Sequence, residues 1–289
     1  RGILAGDVDC DPITSQLYAS DASIDEMVPL GVIRPRNLND VVTTAQYASS
    51  NELSIHPRGA GSGVAGESLG RGLILDFSRY MRRVVVSADD AHVNVQSGAP
   101  LSLVNRNLRA HGRWFGPDPV TRSITTMGSV LATNASGSHY LRSGSARDTI
   151  DSMRIVTCDG EVVELAKHDM VMEEGTAGRL ARGVTEIRNQ FHALIQERAK
   201  APKYRGGYRF DDVVDANGMI DLAKFMVGTQ GTLGVIVDAT VRTESIPAHR
   251  GVVLLFFHRL DSAARCGRTG RIHRNKVHTG ISQFEWREQ

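Results

Sequence analysis

Apolar residues recur along this chain with two periods, one typical of strands and one typical of helices. Short apolar runs at residues 32–35 and 53–56 predict two strands, the first of them ended by a proline. Between them, residues 38–50 carry apolar side chains every three or four positions, which predicts a helix capped by Asn37 or Asn39. Together these elements predict a strand–helix–strand unit near the start of the chain.

The same two periods continue through the rest of the chain. Two apolar runs on either side of Asp159-Gly160, a strong two-residue turn signal, predict a hairpin. The longest helical pattern spans residues 176–198, with its apolar side chains at Leu180, Val184, Ile187, Phe191 and Leu194. Further strands are predicted at residues 73–75, 83–86, 92–96, 150–157, 161–165, 235–241 and 252–257, and further helices at residues 101–111 and 260–264.

A glycine-rich stretch at residues 57–66 follows the second strand. Without a Cβ, its backbone can take positive φ, so that successive N–H groups face one concavity suited to an anion such as a diphosphate. Arg58 adds a charge and Ser62 a hydroxyl. A plain surface turn is an equally good interpretation of this stretch alone. The stretch lacks the Gly-Lys-Ser/Thr of a P-loop, and its spacing does not fit the G-x-G-x-x-G fingerprint.

Two later stretches also contain glycine and small polar residues. In residues 115–137, two prolines around Asp118 stiffen the chain, Gly128 allows close approach to the backbone, and Asn134 offers donors and an acceptor. In residues 228–241, a glycine-rich turn leads into an alternating strand. Composition alone favours an ordinary polar loop for the first stretch and only a turn and a strand for the second.

Composition and charge exclude several classes of protein. The chain has 289 residues, 41% apolar and 23% charged, which is ordinary for one large globular domain or two smaller ones. The net charge of +2 provides no basic surface for nucleic acid, and no apolar run reaches the ~20 residues that cross a bilayer. Cys10, Cys158 and Cys266 stand far apart, so we expect no metal site, and unpaired thiols are typical of the cytoplasm.

The three stretches, taken together, resemble those of a known family. The sequences RGAGSGVAGESLG, PDP … NASG and GTQGTLG occur in the order found in FAD-linked oxidases with a PCMH-type FAD-binding domain, such as the glycolate oxidase and D-lactate dehydrogenase groups. The resemblance covers roughly residues 20–264. It implies an α+β fold, in which a PCMH-type FAD-binding domain of two α/β subdomains is followed by only the start of a substrate-capping domain.

The resemblance also implies boundaries between these parts. Residues 20–23 resemble the family's opening segment, which suggests a place near the flavin, although a surface arm is an equally good interpretation. The basic tail after Ala264 matches nothing in the family, and truncation, a shifted reading frame and divergence all remain open. The expected parts are an N-terminal arm (1–27), the FAD-binding domain (28–246) with subdomains at 28–80 and 81–246, and a truncated or divergent cap domain with its tail (247–289).

By resemblance, FAD is the cofactor. We expect it to bind non-covalently, because no His or Cys lies inside the glycine-rich stretch. Catalytic residues are not assigned, since relatives take them largely from the cap domain. The expected FAD contacts are Pro57, Arg58, Gly59, Ala60, Gly61, Ser62, Gly63, Pro117, Asp118, Ser123, Thr126, Met127, Gly128, Ser129, Asn134, Ser136, Gly231, Gly234, Val235 and Ile236.

Several positions need separate interpretation. Ser129 stands where the family usually has glycine, and Gln230 stands where it usually has glutamate. Arg147 and Asp148 match the family and are interpreted as a structural ion pair in preference to flavin contacts. Tyr208 matches an element on the substrate side of the flavin, but a buried structural tyrosine is equally consistent with the sequence.

The resemblance implies an FAD-dependent oxidoreductase that oxidises a small 2-hydroxy acid, of the D-lactate, glycolate or D-2-hydroxyglutarate class, by hydride transfer to flavin N5. The electrons would pass to a quinone, a cytochrome, an iron–sulfur protein or oxygen. The alternative is an FAD-binding module or remnant without turnover of its own. A reductase of cell-wall precursors on a similar fold matches the three stretches less well. A cytoplasmic location is expected.

Overall fold

The computed structural model describes residues 2–169, 174–199, 207–214, 219–249 and 254–272. Two sheets, each packed against helices, organise this part of the chain. No helix within the described ranges combines the length and the apolarity that are needed to cross a bilayer.

The first sheet contains four strands in the order β1-β2-β4-β3. β2, β4 and β3 run parallel, and β1 pairs antiparallel with β2 at the edge. Parallel neighbours need a crossover connection, and helix α2 provides it between β2 and β3. The elements are β1 (Asp7–Asp9), α1 (Pro12–Leu17), β2 (Gly31–Arg34), α2 (Leu38–Ser50), β3 (Ile55–Arg58) and β4 (Leu73–Asp76).

The predicted strand–helix–strand unit is confirmed, with one addition. Asn37 caps α2, because its side-chain Oδ1 accepts a hydrogen bond from the backbone N–H of Asp40 at 3.0 Å. Residues 7–9, which the sequence placed in an arm, are instead the edge strand of the sheet. Their polar sequence, Asp-Val-Asp, gave no strand signal, since an edge strand needs little apolar surface.

The second sheet contains five antiparallel strands in the order β5-β6-β12-β8-β9. The predicted hairpin of β8 and β9 is confirmed, with Gly160 at φ +84° in its turn. The elements from here are β5 (Val84–Val86), β6 (His92–Gln96), α3 (Leu101–Arg109), β7 (Arg113–Trp114), α4 (Met127–Ala132), α5 (Tyr140–Ser143), β8 (Ile150–Val156), β9 (Val162–Leu165), β10 (Lys167–Asp169), α6 (Gly175–Gln190), α7 (His192–Ala199), β11 (Met219–Asp221), α8 (Leu222–Met226), β12 (Val235–Arg242), β13 (Glu244–Ser245) and α9 (Leu260–Ile272).

The core joins the two sheets. One cluster of buried side chains packs α3, α4 and α8 on the second sheet and includes Leu101, Phe115 and Met127. A second cluster packs α2 on the first sheet, and it also contains Val156 and Val237 from the second sheet. The two sheets therefore share apolar contacts, which hold their ends close together.

The predicted helix over residues 176–198 is wrong in its continuity and in its apolar face. The structure has two helices, α6 and α7, separated at Phe191. Leu180 and Val184 pack on the core, whereas the side chains of Ile187 and Leu194 are 44% and 54% exposed. The second half of the apolar pattern is therefore largely exposed among the described residues.

The predicted strand at residues 252–257 is also wrong for the part that the structure describes. Residues 254–257 have no regular structure, and residues 252–253 lie outside the described ranges. A strand needs a partner for its backbone groups, and no described segment pairs with this one. The helix predicted from residue 260 is confirmed as α9.

We expect Asn37→Ala to lower the free energy of unfolding by about 1 kcal/mol, because it removes the side-chain acceptor at the N-terminus of α2. Urea denaturation of the purified chain measures this loss. Asn107→Ala is the matched control, since Asn107 is exposed and bonds only to the Leu103 carbonyl within α3. A loss in the control as large as in Asn37→Ala would contradict the capping role.

Candidate functional site

A cavity of about 340 Å³ lies between the ends of the two sheets. The loop after β3 forms one side of it, and the segment that contains α4 forms another. The turn before β12 closes a third side, and Phe77 and Ser97 lie at the ends of β4 and β6. The three glycine-containing stretches, far apart in sequence, thus meet around one space.

The structure brings twelve of the predicted site residues to this cavity. They come from all three stretches, and most of them are glycine or carry a small hydroxyl group. They are Pro57, Arg58, Gly59, Gly61, Ser62, Gly63, Thr126, Gly128, Ser129, Gly231, Gly234 and Ile236.

The other predicted site residues do not line the cavity. Met127 and Val235 belong to the apolar core, at 0% and 6% exposure. Asn134 accepts a hydrogen bond from the Arg147 backbone, and Asp118 bonds to Ser138 and His139. The four that remain are Ala60, Pro117, Ser123 and Ser136. Neighbouring residues of one motif point in different directions. A prediction that assigns a whole contiguous motif to the site therefore includes residues that do not face the cavity.

Other lining residues were missed by the sequence analysis. Most of them fall inside the three stretches, so the sequence analysis found the right segments but chose neighbouring residues as the ligand contacts. Phe77 and Ser97 lie outside and had no local signal, because only the sheet order brings their strand ends to the cavity. The missed residues are Val64, Glu67, Ser68, Phe77, Ser97, Pro119, Val120, Thr121, Thr125, Ala132, Thr133, Ala135 and Gln230.

Gly59 is the point at which the first stretch touches α4. A Cβ on Gly59 would lie 2.3 Å from Thr126 Oγ1 and 2.4 Å from Ser129 Oγ, closer than any side chain can approach. These two hydroxyl oxygens are 3.2 Å apart and share a hydrogen bond. Gly59 is therefore required by close packing, and Ser129, which departs from the family pattern, is part of that contact.

The turn before β12 is docked on α4 and on β3. The backbone N–H groups of Gly228 and Gln230 donate to the carbonyls of Leu131 and Ala132, each at 3.0 Å. Gly231 has φ +79°, and a Cβ placed there would lie 3.3 Å from the Pro57 ring. The third stretch is therefore held against both of the others.

Ser97 links the second sheet to α4. Its hydroxyl donates to the Ile236 carbonyl, and its backbone N–H donates to the Val237 carbonyl at 2.9 Å. Its own carbonyl accepts from the Gly128 N–H at 2.9 Å. One buried serine at the end of β6 thus fixes the start of α4 relative to β12.

Residues 29–166 match the protein family described as "FAD binding domain". This match identifies residues 29–166 as part of a PCMH-type FAD-binding domain. FAD is its cofactor, and the expected α+β fold is confirmed. The solved structure of alkyldihydroxyacetonephosphate synthase shares this fold, with a TM-score of 0.59 and 19% identity over 84% of this chain and 38% of that one.

Curated relatives of this FAD-binding domain are longer proteins. D-2-hydroxyglutarate dehydrogenase of Escherichia coli (strain K12) is 30% identical in an alignment that covers 86% of this chain and 25% of the relative. Glycolate oxidase subunit GlcD of Bacillus subtilis is 24% identical over 86% of this chain and 44% of the relative. The mitochondrial D-lactate dehydrogenase [cytochrome] of Arabidopsis thaliana is 26% identical over 82% of this chain and 34% of the relative. The chain spans about a quarter of the D-2-hydroxyglutarate dehydrogenase and less than half of the others.

Arg147 and Asp148 of the FAD-binding domain do not form the expected ion pair. The Asp148 carboxylate accepts from the backbone N–H and the hydroxyl of Ser145, and so caps a short 3-10 helix. The buried Arg147 guanidinium donates to the Val227 carbonyl and lies 3.6 Å from Asp212. Burial lowers the pKa of Arg147 from its ordinary value. Arg147 thus connects the second stretch with the turn before β12.

Tyr208 and His56 both lie outside the lining of the cavity. The Tyr208 hydroxyl is 2.7 Å from Thr232 Oγ1, and its ring stacks on Phe225. The His56 ring lies on β3 against Gly70, with its Nε2 2.9 Å from Ser54 Oγ. Burial lowers the pKa of His56 below its ordinary value. Within the described residues, no group of three or more His, Cys, Asp or Glu side chains is placed to hold a metal ion.

We expect Gly59→Ala to destabilise the FAD-free protein by about 1–3 kcal/mol, because the new methyl group overlaps two hydroxyl oxygens of α4. Gly183→Ala is the control: it lies within α6, its added methyl group would have nothing within 4 Å, and it should be neutral or stabilising by up to about 1 kcal/mol. Urea denaturation gives both values. Adding Ser129→Gly to Gly59→Ala should recover part of the loss, and no recovery would argue against this contact.

We expect His56→Gln to reduce the loss of stability in mild acid. The lowered pKa means that the unfolded chain binds a proton at His56 before the folded chain does, so stability falls as the pH drops below about 6.5. Glutamine does not titrate and should lose less stability between about pH 8 and about pH 5. Denaturation midpoints at the two pH values test this, with His249→Gln, an exposed histidine, as the control.

Proposed function

We propose that the cavity holds FAD, with its diphosphate against the backbone of the three stretches. The lining contains Gly59, Gly61, Gly63, Gly128, Gly231 and Gly234, and these six residues leave the main chain open to a ligand. Backbone N–H groups in such a concavity bind anionic oxygens without a side-chain charge. This convergence of glycines from three distant parts of the chain is the observation that supports the proposal.

The rest of the lining fits the same group. Hydroxyl groups of Ser62, Thr121, Thr126, Ser129 and Thr133 surround the cavity and can donate to phosphate or ribityl oxygens. Val120, Phe77 and Ile236 add apolar surface of the kind that most cofactor pockets contain. At about 340 Å³ the cavity is near the lower end of ligand pockets, so a group as long as FAD would extend beyond it.

The domain boundaries follow as part of this proposal. The FAD-binding domain spans 28–246, with subdomains at 28–80 and 81–246 that correspond to the first and second sheets. Because β1 (Asp7–Asp9) pairs with β2 in the first sheet, we propose that the first subdomain also includes β1, although the family resemblance placed its start at residue 28. The assignment of residues 247–289 to a cap domain and its tail stays a prediction.

We propose that the whole protein oxidises a small 2-hydroxy acid, of the D-2-hydroxyglutarate, D-lactate or glycolate class. The names of the relatives support this, because each name contains one of these three acids. When bound, FAD supplies the ring whose N5 atom accepts the hydride. The described residues bind and orient this cofactor. A quinone, cytochrome, iron–sulfur or oxygen acceptor and a cytoplasmic location stay predictions.

A binding module without turnover of its own is the second candidate for this chain. Among the described residues that line the cavity, the charged side chains are Arg58 and Glu67. Arg58 donates to backbone carbonyls, and Glu67 accepts from the Ala65 backbone N–H at 3.1 Å. Neither is placed as a free general base, so proton transfer needs a group from elsewhere. Turnover of the three acids with a dye acceptor separates the two candidates.

The absorption spectrum of the purified chain tests the proposal directly. We expect visible flavin bands that survive gel filtration, and their release into the supernatant as free FAD when the protein is denatured. Release would confirm non-covalent binding. A colourless protein that takes up no added FAD would contradict the proposed function for this chain.

We expect Gly231→Ala to weaken FAD binding, because it adds a methyl group to the lining and forces alanine to φ +79°. Gly175→Ala is the matched control, since Gly175 has a similar φ of +88° but lies at the start of α6, away from the cavity. Both variants carry the backbone strain, and only Gly231→Ala should raise the dissociation constant in a fluorescence titration. Equal affinities would place FAD elsewhere.

A further inference from the structure

We propose that Arg58 is a positioning residue that shapes the glycine-rich loop through residues 18–25, here called the N-terminal clamp. The inference rests on the proposed FAD site and changes the expected role of Arg58. On this view the arginine does not bind the diphosphate directly. It holds the clamp against the loop, and the clamp gives the loop its binding conformation.

The Arg58 guanidinium is already engaged by the clamp. Its Nη2 donates to the Ser20 carbonyl at 2.8 Å, and its Nη1 donates to the Tyr18 carbonyl at 3.3 Å. Its Cζ lies 5.1 Å from the centre of the Tyr18 ring, which is the geometry of a cation–π contact. Both terminal amino groups of Arg58 therefore point to the clamp. Because the guanidinium group is planar and rigid, these groups cannot face the FAD diphosphate equally well at the same time.

The clamp contacts the glycine-rich loop in its middle and just after its end. The Ala22 N–H donates to the carbonyl of Gly61, in the middle of the loop, at 3.1 Å. The Ser68 hydroxyl donates to Asp21 Oδ2 at 2.9 Å, after the last glycine of the loop. These two hydrogen bonds join segments that are far apart in the sequence, so they depend on the tertiary fold and not on local structure.

The two left-handed glycines of the loop are the ones that touch the clamp. Gly61 has φ +63°, and a Cβ placed there would lie 2.5 Å from Arg58 Nη2. Gly66 has φ +74°, and its Cβ would lie 2.9 Å from Asp25 Oδ2. Positive φ is the backbone feature that turns successive N–H groups toward one side. The clamp thus packs where the loop acquires its concave shape.

The clamp is anchored to the first sheet at Tyr18. The Tyr18 hydroxyl donates to Asp76 Oδ2 at 2.6 Å, and Asp76 is 3% exposed at the end of β4. Burial raises the pKa of Tyr18, with a further contribution from the Asp76 carboxylate, so the phenol stays protonated as the donor. Arg58 and Tyr18 therefore form a fixed link between the sheet and the loop.

Arg58 also balances negative charge beside the loop. Asp21 and Asp25 of the clamp and Glu67 of the loop are carboxylates within this region. Burial opposes ionisation of Asp21, but hydrogen bonds from Ser23 and Ser68 and the charge of Arg58 outweigh it and lower the pKa of Asp21. Without Arg58, an anionic cofactor would meet these carboxylates uncompensated.

Hydrogen exchange of the FAD-free protein, combined with FAD titration, tests this role. We expect Arg58→Ala to speed exchange at the Ala22 amide and across residues 59–66, and to weaken FAD binding by about tenfold or more, because the loop is no longer preorganised. Arg58→Lys keeps the charge without the fork and should recover only part of both effects. Thermal melting checks that each variant is folded.

Two further variants separate this role from direct contact with the diphosphate. Asp21→Ala breaks the clamp at a residue outside the cavity lining and should change exchange and affinity in the same direction as Arg58→Ala. Arg36→Ala is the control, because Arg36 makes a similar contact with Tyr80, at 4.5 Å from its ring centre and 2.9 Å from its hydroxyl. It should leave the exchange of residues 59–66 and the FAD affinity unchanged.

The proposal is overturned if Arg58→Ala weakens FAD binding while the exchange rates of the loop stay as in the wild type, since that result indicates direct contact. It is also overturned if Asp21→Ala leaves both readouts unchanged. Failure of the wild type to bind FAD would instead contradict the proposed function. The exchange rates of the FAD-free protein would then still decide whether Arg58 orders the loop.

Discussion

The candidate site depends on the close contact between Gly59 and the two hydroxyl oxygens of Thr126 and Ser129. It allows the loop after β3 to lie directly on α4, and any side chain at Gly59 would separate them. The same condition recurs at Gly128, where a Cβ would lie 2.8 Å from the Ser97 side chain. The two sheets can share one cavity because glycine occupies the positions at which their connecting segments touch.

β12 completes this arrangement from the other side. It lies between β6 and β8 in the second sheet, so the turn that precedes it emerges next to the end of β6. Ser97 uses that proximity to join β6, β12 and α4 through three hydrogen bonds. Arg147, whose backbone N–H donates to Asn134 of the second stretch, adds a buried link to Val227. Strand order, together with a few buried polar bonds, positions the cavity wall.

A site built from backbone and hydroxyl groups is suited to holding a cofactor and poorly suited to acid–base chemistry. Neutral donors bind anionic oxygens at low desolvation cost, and they do not titrate near neutral pH. The charged groups nearby are engaged in shaping the loop, as the contacts of Arg58 and Glu67 indicate. This division between binding and chemistry is consistent with relatives of which the chain covers only a part.

The sequence by itself determined many of the local elements, and its resemblance to FAD-linked oxidases indicated the cofactor. The apolar period of residues 38–50, the cap at Asn37 and the Asp159-Gly160 turn each depend on neighbouring residues, and each was predicted. The resemblance of the three glycine-containing stretches to those of FAD-linked oxidases implied FAD. Which side chains within those stretches face the cavity was predicted only in part, as Met127 and Asn134 show.

Only the tertiary structure decided the contacts between distant segments. The hydrogen bonds from Arg58 to the clamp, the polar edge strand at residues 7–9, and the roles of Phe77 and Ser97 were not predicted from the sequence. The exposure of the second half of the 176–198 pattern was likewise decided by tertiary packing. The physical reason is the same in each case: periodicity and turn chemistry act over a few residues, whereas the direction and partners of a side chain depend on segments that folding brings together.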